Sequence, residues 1–276
     1  MYYFKNWDKF CYNVTKTNTS CLRALDIAVH NTDKQFIIFK HDVETQPSKA
    51  LKLSQIENKH GIKGSFYVQA YLLNNPEHIR ILQQIKQLGH EVSYHYDVLD
   101  ANNGNFERAN DEFQENLQKF KNSGFDIITV CQHGNPIKNR KGYTSNRDFF
   151  RNKTIANQYK EISDIVVNFR EKTGVDFTYI SDAGYSWNII LDPENNDRIN
   201  GDTDIKLNGF EDMLNEIKKG KSIIISTHPH RWEQSRLSIY LKIFLFKIVR
   251  STVKFLSKFS VIKKILNHFY FLAKKI

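Results

Sequence analysis

Short apolar, β-branched runs alternate with amphipathic stretches along most of the chain. FIIFKHDV (36–43) predicts a strand, and residues 47–60, with Leu51, Leu53 and Ile56, predict a helix stopped by Gly61. SFYVQA (65–70) predicts a second strand. Residues 76–88 follow as a helix opened by Pro76, with Ile79, Ile81, Leu82 and Ile85 largely on one face and Gly89 at its end. HEVSYHY (90–96) and IITVCQ (127–132) are the next strands. Between them a helix over 105–122 places Phe106, Phe113, Leu117 and Phe120 at mostly three- and four-residue spacing, up to Gly124. The pattern is less regular beyond this point. Residues 153–172 could form a helix, FTYISDAG (177–184) a strand, and the Asn- and Asp-rich segment 191–208 a long loop. FEDMLNEIKKG (210–220) reads as a short helix and SIIIST (222–227) as a final buried strand. Strands alternating with helices favour a parallel α/β architecture.

Composition narrows the picture. A chain of 276 residues with 40% apolar content can bury a sizeable core, and five prolines and twelve glycines argue against low-complexity linkers. The net charge of +10 is confined to one end. Residues 1–230 carry 29 basic and 29 acidic residues, whereas residues 231–276 carry eleven basic residues and one acid, Glu233. A nucleic-acid surface would spread into the body of the domain, so nucleic acid is not an expected partner. Three cysteines leave one unpaired under any bridging scheme, which fits a reducing compartment. The segment MYYFKNWDKF lacks the apolar core of a signal peptide, and no run reaches the length of a spanning helix. A cytoplasmic location is therefore expected.

Metal-type ligands cluster where the predicted strands end: His41, Asp42 and Glu44 after the first, His95 and Asp97 after the third, then His133, Asp182 and His228. In parallel α/β folds such ends converge on the active site. A catalytic divalent ion needs about three protein ligands and an open position. Carboxylate and imidazole together suit zinc, and also iron, cobalt or nickel. Asp42 and His95 are the first two ligands, His133 is the favoured third, and Asp97 and Glu44 are its rivals. His60 and His78 lie on helix surfaces and His90 at a strand start, so they read as structural. His230 reads as a rim residue, and Asp182 could equally make a local turn. Trp187 and Trp232 are either core or a sugar-binding face.

The segments KHDVE, SYHYD, QHGNP, SDAGYSW and STHPHRW, in this order, resemble the polysaccharide deacetylases of carbohydrate esterase family 4. They are most similar to a divergent branch found in bacterial surface-polysaccharide clusters. The resemblance spans about residues 36–232. It implies a distorted (β/α)7-type barrel over 1–234 and metal-dependent hydrolysis of an N-acyl group on a sugar during capsule or lipopolysaccharide assembly; a lipid- or nucleotide-linked substrate would account for both the missing export signal and the basic C-terminal tail. It also implies Asp42 and His95 as metal ligands, His41 in the place of the catalytic base, and His228 as the general acid. The family's second ligand histidine falls on Leu99, which cannot ligate, and His133 could restore the coordination. Asp182, Trp187, Arg231 and Trp232 fall in the family's later motifs and, together with Glu44 and Asp97, are expected to bind substrate. Two rival readings use the same residues: a non-catalytic glycan- or partner-binding descendant, and an enzyme that forms or modifies amides of uronic acid sugars.

Residues 235–276 form a separate appendage by composition. From Ile239 to Ile276 they are dense in Leu, Ile, Phe and Lys. Lys247, Arg250, Lys254 and Lys258 recur at helical spacing, with Val249, Val253, Phe255, Leu256, Phe259 and Ile262 on the remaining surface. One bent helix or two short ones are expected. Such a basic amphipathic tail suits the inner face of an anionic membrane, where each basic residue contributes about 1 kcal/mol. A helix packed on the barrel or a dimer contact would also fit.

Overall fold

A computed structural model describes residues 1–30, 32, 34–135, 138–195 and 204–256. Its strands are β1 (Ser20–Cys21), β2 (Phe36–Val43), β3 (Ser65–Val68), β4 (Glu91–Tyr96), β5 (Thr129–Gln132), β6 (Ser163–Asp164), β7 (Thr178–Ser181), β8 (Trp187–Ile190), β9 (Ile205–Leu207) and β10 (Ile223–Thr227). Its helices are α1 (Phe4–Val14), α2 (Ala24–Val29), α3 (Pro47–Lys59), α4 (Pro76–Gln87), α5 (Val98–Ala101), α6 (Phe106–Asn122), α7 (Asp148–Arg151), α8 (Lys153–Gln158), α9 (Phe169–Thr173), α10 (Phe210–Lys218) and α11 (Arg236–Leu256).

The sheet follows the order β6-β5-β4-β3-β2-β10-β7 with parallel pairing throughout. This is the α/β arrangement expected from the alternating pattern. The expected barrel does not close: β8 and β9 extend the β7 edge antiparallel, and among the described residues nothing pairs β6 with that edge. The long helix expected over 153–172 is broken into α8, β6 and α9. Asn168 turns back there, its side chain accepting from the Asp164 backbone N–H at 2.8 Å.

Strand parity divides the core. On β2, Phe36 and Ile38 pack in the sheet's interior with Tyr67, Cys131, Tyr179 and Ile224. Ile37 and Phe39 pack on the opposite face with Trp7, Phe10, Leu53, Trp187 and Trp232. Side chains two apart share a face, so Lys40, Asp42 and Glu44 continue the interior row, and His41 belongs to the outer one. The outer layer includes α1, which the hydrophobic pattern does not predict; it is anchored by buried Phe4, Trp7, Phe10, Cys11 and Val14. Residues 257–276, which include the tail positions Lys258, Phe259 and Ile262, lie outside the described residues.

Candidate active site

The interior row of each central strand emerges at the carboxyl end of the sheet. There Asp42 from β2 and Glu44 just beyond it meet His95 from β4, Cys131 and His133 from β5 and its following loop, and His228 after β10. Two overlapping donor sets form. Glu44, His95 and His133 have one ligand atom each within 4.8 Å of one another, and so do Asp42, His95 and Cys131.

Asp42 is already engaged. The Lys40 ammonium, fully buried two residues back on the same face, donates to both carboxylate oxygens at 2.5 and 2.6 Å and to Ser226 Oγ at 3.2 Å. Burial would raise the Asp42 carboxyl, but the charges of Lys40, His95 and His228 together outweigh it and hold the carboxyl below its ordinary range. A carboxylate paired this way is a weak base and a partly satisfied ligand. His95 Nδ1 and His228 Nε2 approach it only to 3.9 Å each.

Glu44 lies closer to the imidazoles, with His133 Nε2 at 3.2 Å from Oε1 and His228 Nε2 at 3.8 Å. Its burial would raise the carboxyl, yet the charges of His133 and His228 hold it well below the usual range. His133 is buried; its Nε2 pairs with Glu44, and among the described residues its Nδ1 makes no hydrogen bond. A buried ring nitrogen left unsatisfied calls for an explanation, and a cation would supply one. His95 is oriented by the Cys131 carbonyl, 3.0 Å from Nδ1; a proton donated there leaves the lone pair on Nε2. Burial drives the His95 imidazole down to about 3, so it is neutral and able to ligate near neutral pH. The donors Glu44, His95 and His133 therefore fit a divalent ion such as zinc, with Asp42 at its side. Burial raises the Cys131 thiol well above its ordinary value, which makes it a poor thiolate ligand.

His228 is held from behind. Its Nδ1 lies 2.5 Å from Asp182 Oδ1, and its backbone N–H donates to Oδ2 at 3.1 Å. Thr227 Oγ1 and Arg231 Nη1 donate to the same carboxylate at 2.6 and 2.7 Å. Asp182 is fully buried; burial would raise it, and Arg231 and His228 outweigh that and depress it. This arrangement fixes the proton on Nδ1 and turns Nε2 toward Glu44 and Asp42.

Several expected site residues lie elsewhere. His41 points out of the interior, as parity requires; it stacks on Phe66 with ring centroids 4.3 Å apart, and its Nε2 lies 2.8 Å from Glu57. It cannot be the base. Trp187 and Trp232 are fully buried in the outer core and offer no sugar face. Asp182 and Arg231 contact each other and His228, and so hold that ring in place. Asp97 stands at the start of α5 and joins neither donor set. Leu99 is buried in the core. The sequence reading gave Lys40 and Thr227 no role; the alternation of β2 could have revealed Lys40, since a lysine two residues before an interior aspartate shares its face.

No family model matches the chain, and no curated protein matches it. Among solved structures it is similar to the Xyl-CE4 domain of a multidomain xylanase from the hindgut metagenome of Trinervitermes trinervoides, at 14% identity and a TM-score of 0.44, covering 79% of this chain and 85% of that one. It is also similar to a CE4-family pseudoenzyme from Bacillus anthracis, at 12% identity and a TM-score of 0.40, covering 78% of this chain and 61% of that one. A mutant CE4-family pseudoenzyme with restored enzymatic activity matches at 13% identity and a TM-score of 0.40, over 78% of this chain and 63% of its own.

Proposed function

We propose that the chain is a metal-dependent hydrolase that removes an N-acyl group from a sugar, in the manner of the family 4 deacetylases its motifs resemble. The substrate would be a lipid- or nucleotide-linked sugar of a surface polysaccharide under assembly. The observation that carries the reading is an oriented imidazole facing a set of cation ligands: His228, fixed through Nδ1 by Asp182, stands with Nε2 3.8 Å from Glu44, which pairs with His133. Glu44, His95 and His133 would hold the ion, with Asp42 beside them. When bound, the ion supplies Lewis acidity at the amide carbonyl and lowers the pKa of water. His41 being absent from the site, His228 Nε2 takes the proton from the attacking water. The same nitrogen then returns it to the leaving amine, whose C–N bond breaks to give a free acid and an amino sugar. Asp182 and Arg231 keep the ring in one tautomer throughout.

The test is release of acetate or formate from a panel of N-acyl sugars and nucleotide sugars with zinc, cobalt or iron supplied. Activity lost in His228→Ala and in the presence of chelator is expected. An inactive wild type across the panel would overturn the reading. A second reading, a glycan-binding protein without catalysis, is favoured by one observation: Lys40 already neutralises Asp42. It requires sugar binding that is unchanged by chelator and by His228→Ala.

A further inference from the structure

Helix α11 follows directly on the loop that carries His228. One face of it is docked. Ile239 is buried and Ile243 packs on the outer core. The Phe246 ring lies 4.9 Å from Tyr185, and Lys242 Nζ reaches Glu233 at 2.6 Å and the His230 carbonyl at 3.3 Å. The other face is a second apolar stripe. Leu237, Tyr240, Leu241, Phe244, Leu245 and Ile248 recur at helical spacing and are 40% to 78% exposed. A helix that only packs on its own domain needs one apolar face, and a contiguous exposed stripe of this kind marks an interaction surface.

Charge selects the occupant. Arg236 and Lys247 are both exposed and stand eleven residues apart, about three helical turns, so they edge the stripe on one side. Over 236–256 the chain has no acid, and over 231–276 Glu233 is the one acid against eleven basic residues. A second copy of α11 would bring like charge against like. An anionic bilayer offers both hydrocarbon for the stripe and negative charge for its basic edge. Among the described residues no helix is long and apolar enough to cross a membrane, so α11 would lie in the plane of the surface.

We propose that α11 is an interfacial anchor: the stripe Leu237–Tyr240–Leu241–Phe244–Leu245–Ile248 inserts among the headgroups of an anionic lipid surface. This inference is independent of the reaction assigned to the site. It is tested by co-sedimentation of the full chain with phosphatidylcholine vesicles, with and without phosphatidylglycerol, beside sedimentation velocity without lipid. The expected result is binding that requires phosphatidylglycerol, weakens with added salt, and falls by about tenfold or more in Leu241→Glu/Phe244→Glu. The variant should keep the wild-type circular dichroism, since both positions are exposed. Binding indifferent to phosphatidylglycerol, binding undiminished in the variant, or a lipid-free dimer that the variant splits would each overturn the proposal. Any deacylation of a soluble sugar should be equal in wild type and variant, so the anchor and the hydrolase reading fail separately.

Discussion

At the scale of single residues, the Lys40–Asp42 pair sets the character of the site. Both groups are buried and charged, so removing one strands the other. Lys40→Met should cost about 3–5 kcal/mol in chemical denaturation. Lys40→Met/Asp42→Asn should recover a large part of that loss, giving a coupling that additive single effects do not produce. Asp182 acts through His228. Asp182→Asn keeps the shape but can donate to Nδ1, favouring the wrong tautomer; the expected loss in kcat is about a hundredfold or more, with KM little changed. His41→Asn, by contrast, should leave metal binding intact and lower the melting temperature, because His41 belongs to the outer layer. The chemistry-bearing residues were legible because donor types concentrate at strand ends. What the motif reading missed was parity: adjacent residues on a strand face opposite ways, so His41 and Asp42 cannot share a pocket, whereas Lys40, Asp42 and Glu44 must.

Whole elements were legible where the hydrophobic period was clean. Strands β2, β4 and β10 and helices α3, α4 and α6 fall within a few residues of their expected bounds. The break over 153–172 depends on a side chain folding back on the backbone, and α1 depends on a partner surface far along the chain, so periodicity alone shows neither. Behind β2 the outer layer is tied by a buried polar cluster. Trp7 Nε1 donates to Glu57 at 2.9 Å, the Gly64 N–H donates to His90 Nδ1 at 2.9 Å, and His90 Nε2 donates to the Ser54 carbonyl at 3.0 Å. A Cβ on Gly64 would stand 2.9 Å from both a Glu57 carboxylate oxygen and the Phe39 carbonyl. The backbone contact cannot yield easily, so Gly64→Ala should lose about 1–3 kcal/mol, read from denaturant midpoints. His60 and Asp8, on the surface side of α3 and α1, make a shorter tie at 2.6 Å.

For the molecule as a whole, acid should be the weak direction. Burial lowers His95 and His230 to about 3, and lowers His90 as well. The unfolded chain takes up these protons near pH 6.5, before the folded chain does. Stability from these groups is therefore full above about 6.5 and declines as pH falls toward 3. The depressed carboxyls of Asp42, Glu44 and Asp182 add to the loss below about pH 4, where the unfolded chain protonates them first. Melting temperatures of chelated protein measured from pH 8 to 4 should fall steadily below 6.5; a flat profile would contradict this account.

The loop of His228 is also laced to the first residues of the chain. The Phe4 N–H donates to the Glu233 carbonyl at 3.1 Å, the Glu233 N–H to the Tyr2 carbonyl at 3.0 Å, and Tyr2 packs edge-on to Trp232 at 5.6 Å. The segment that carries His228 is thus moored to a stretch of backbone more than two hundred positions upstream. Deletion of the residues up to Tyr2, or a bulky fusion pressed against them, should leave a folded protein in which the His228 segment has lost its alignment.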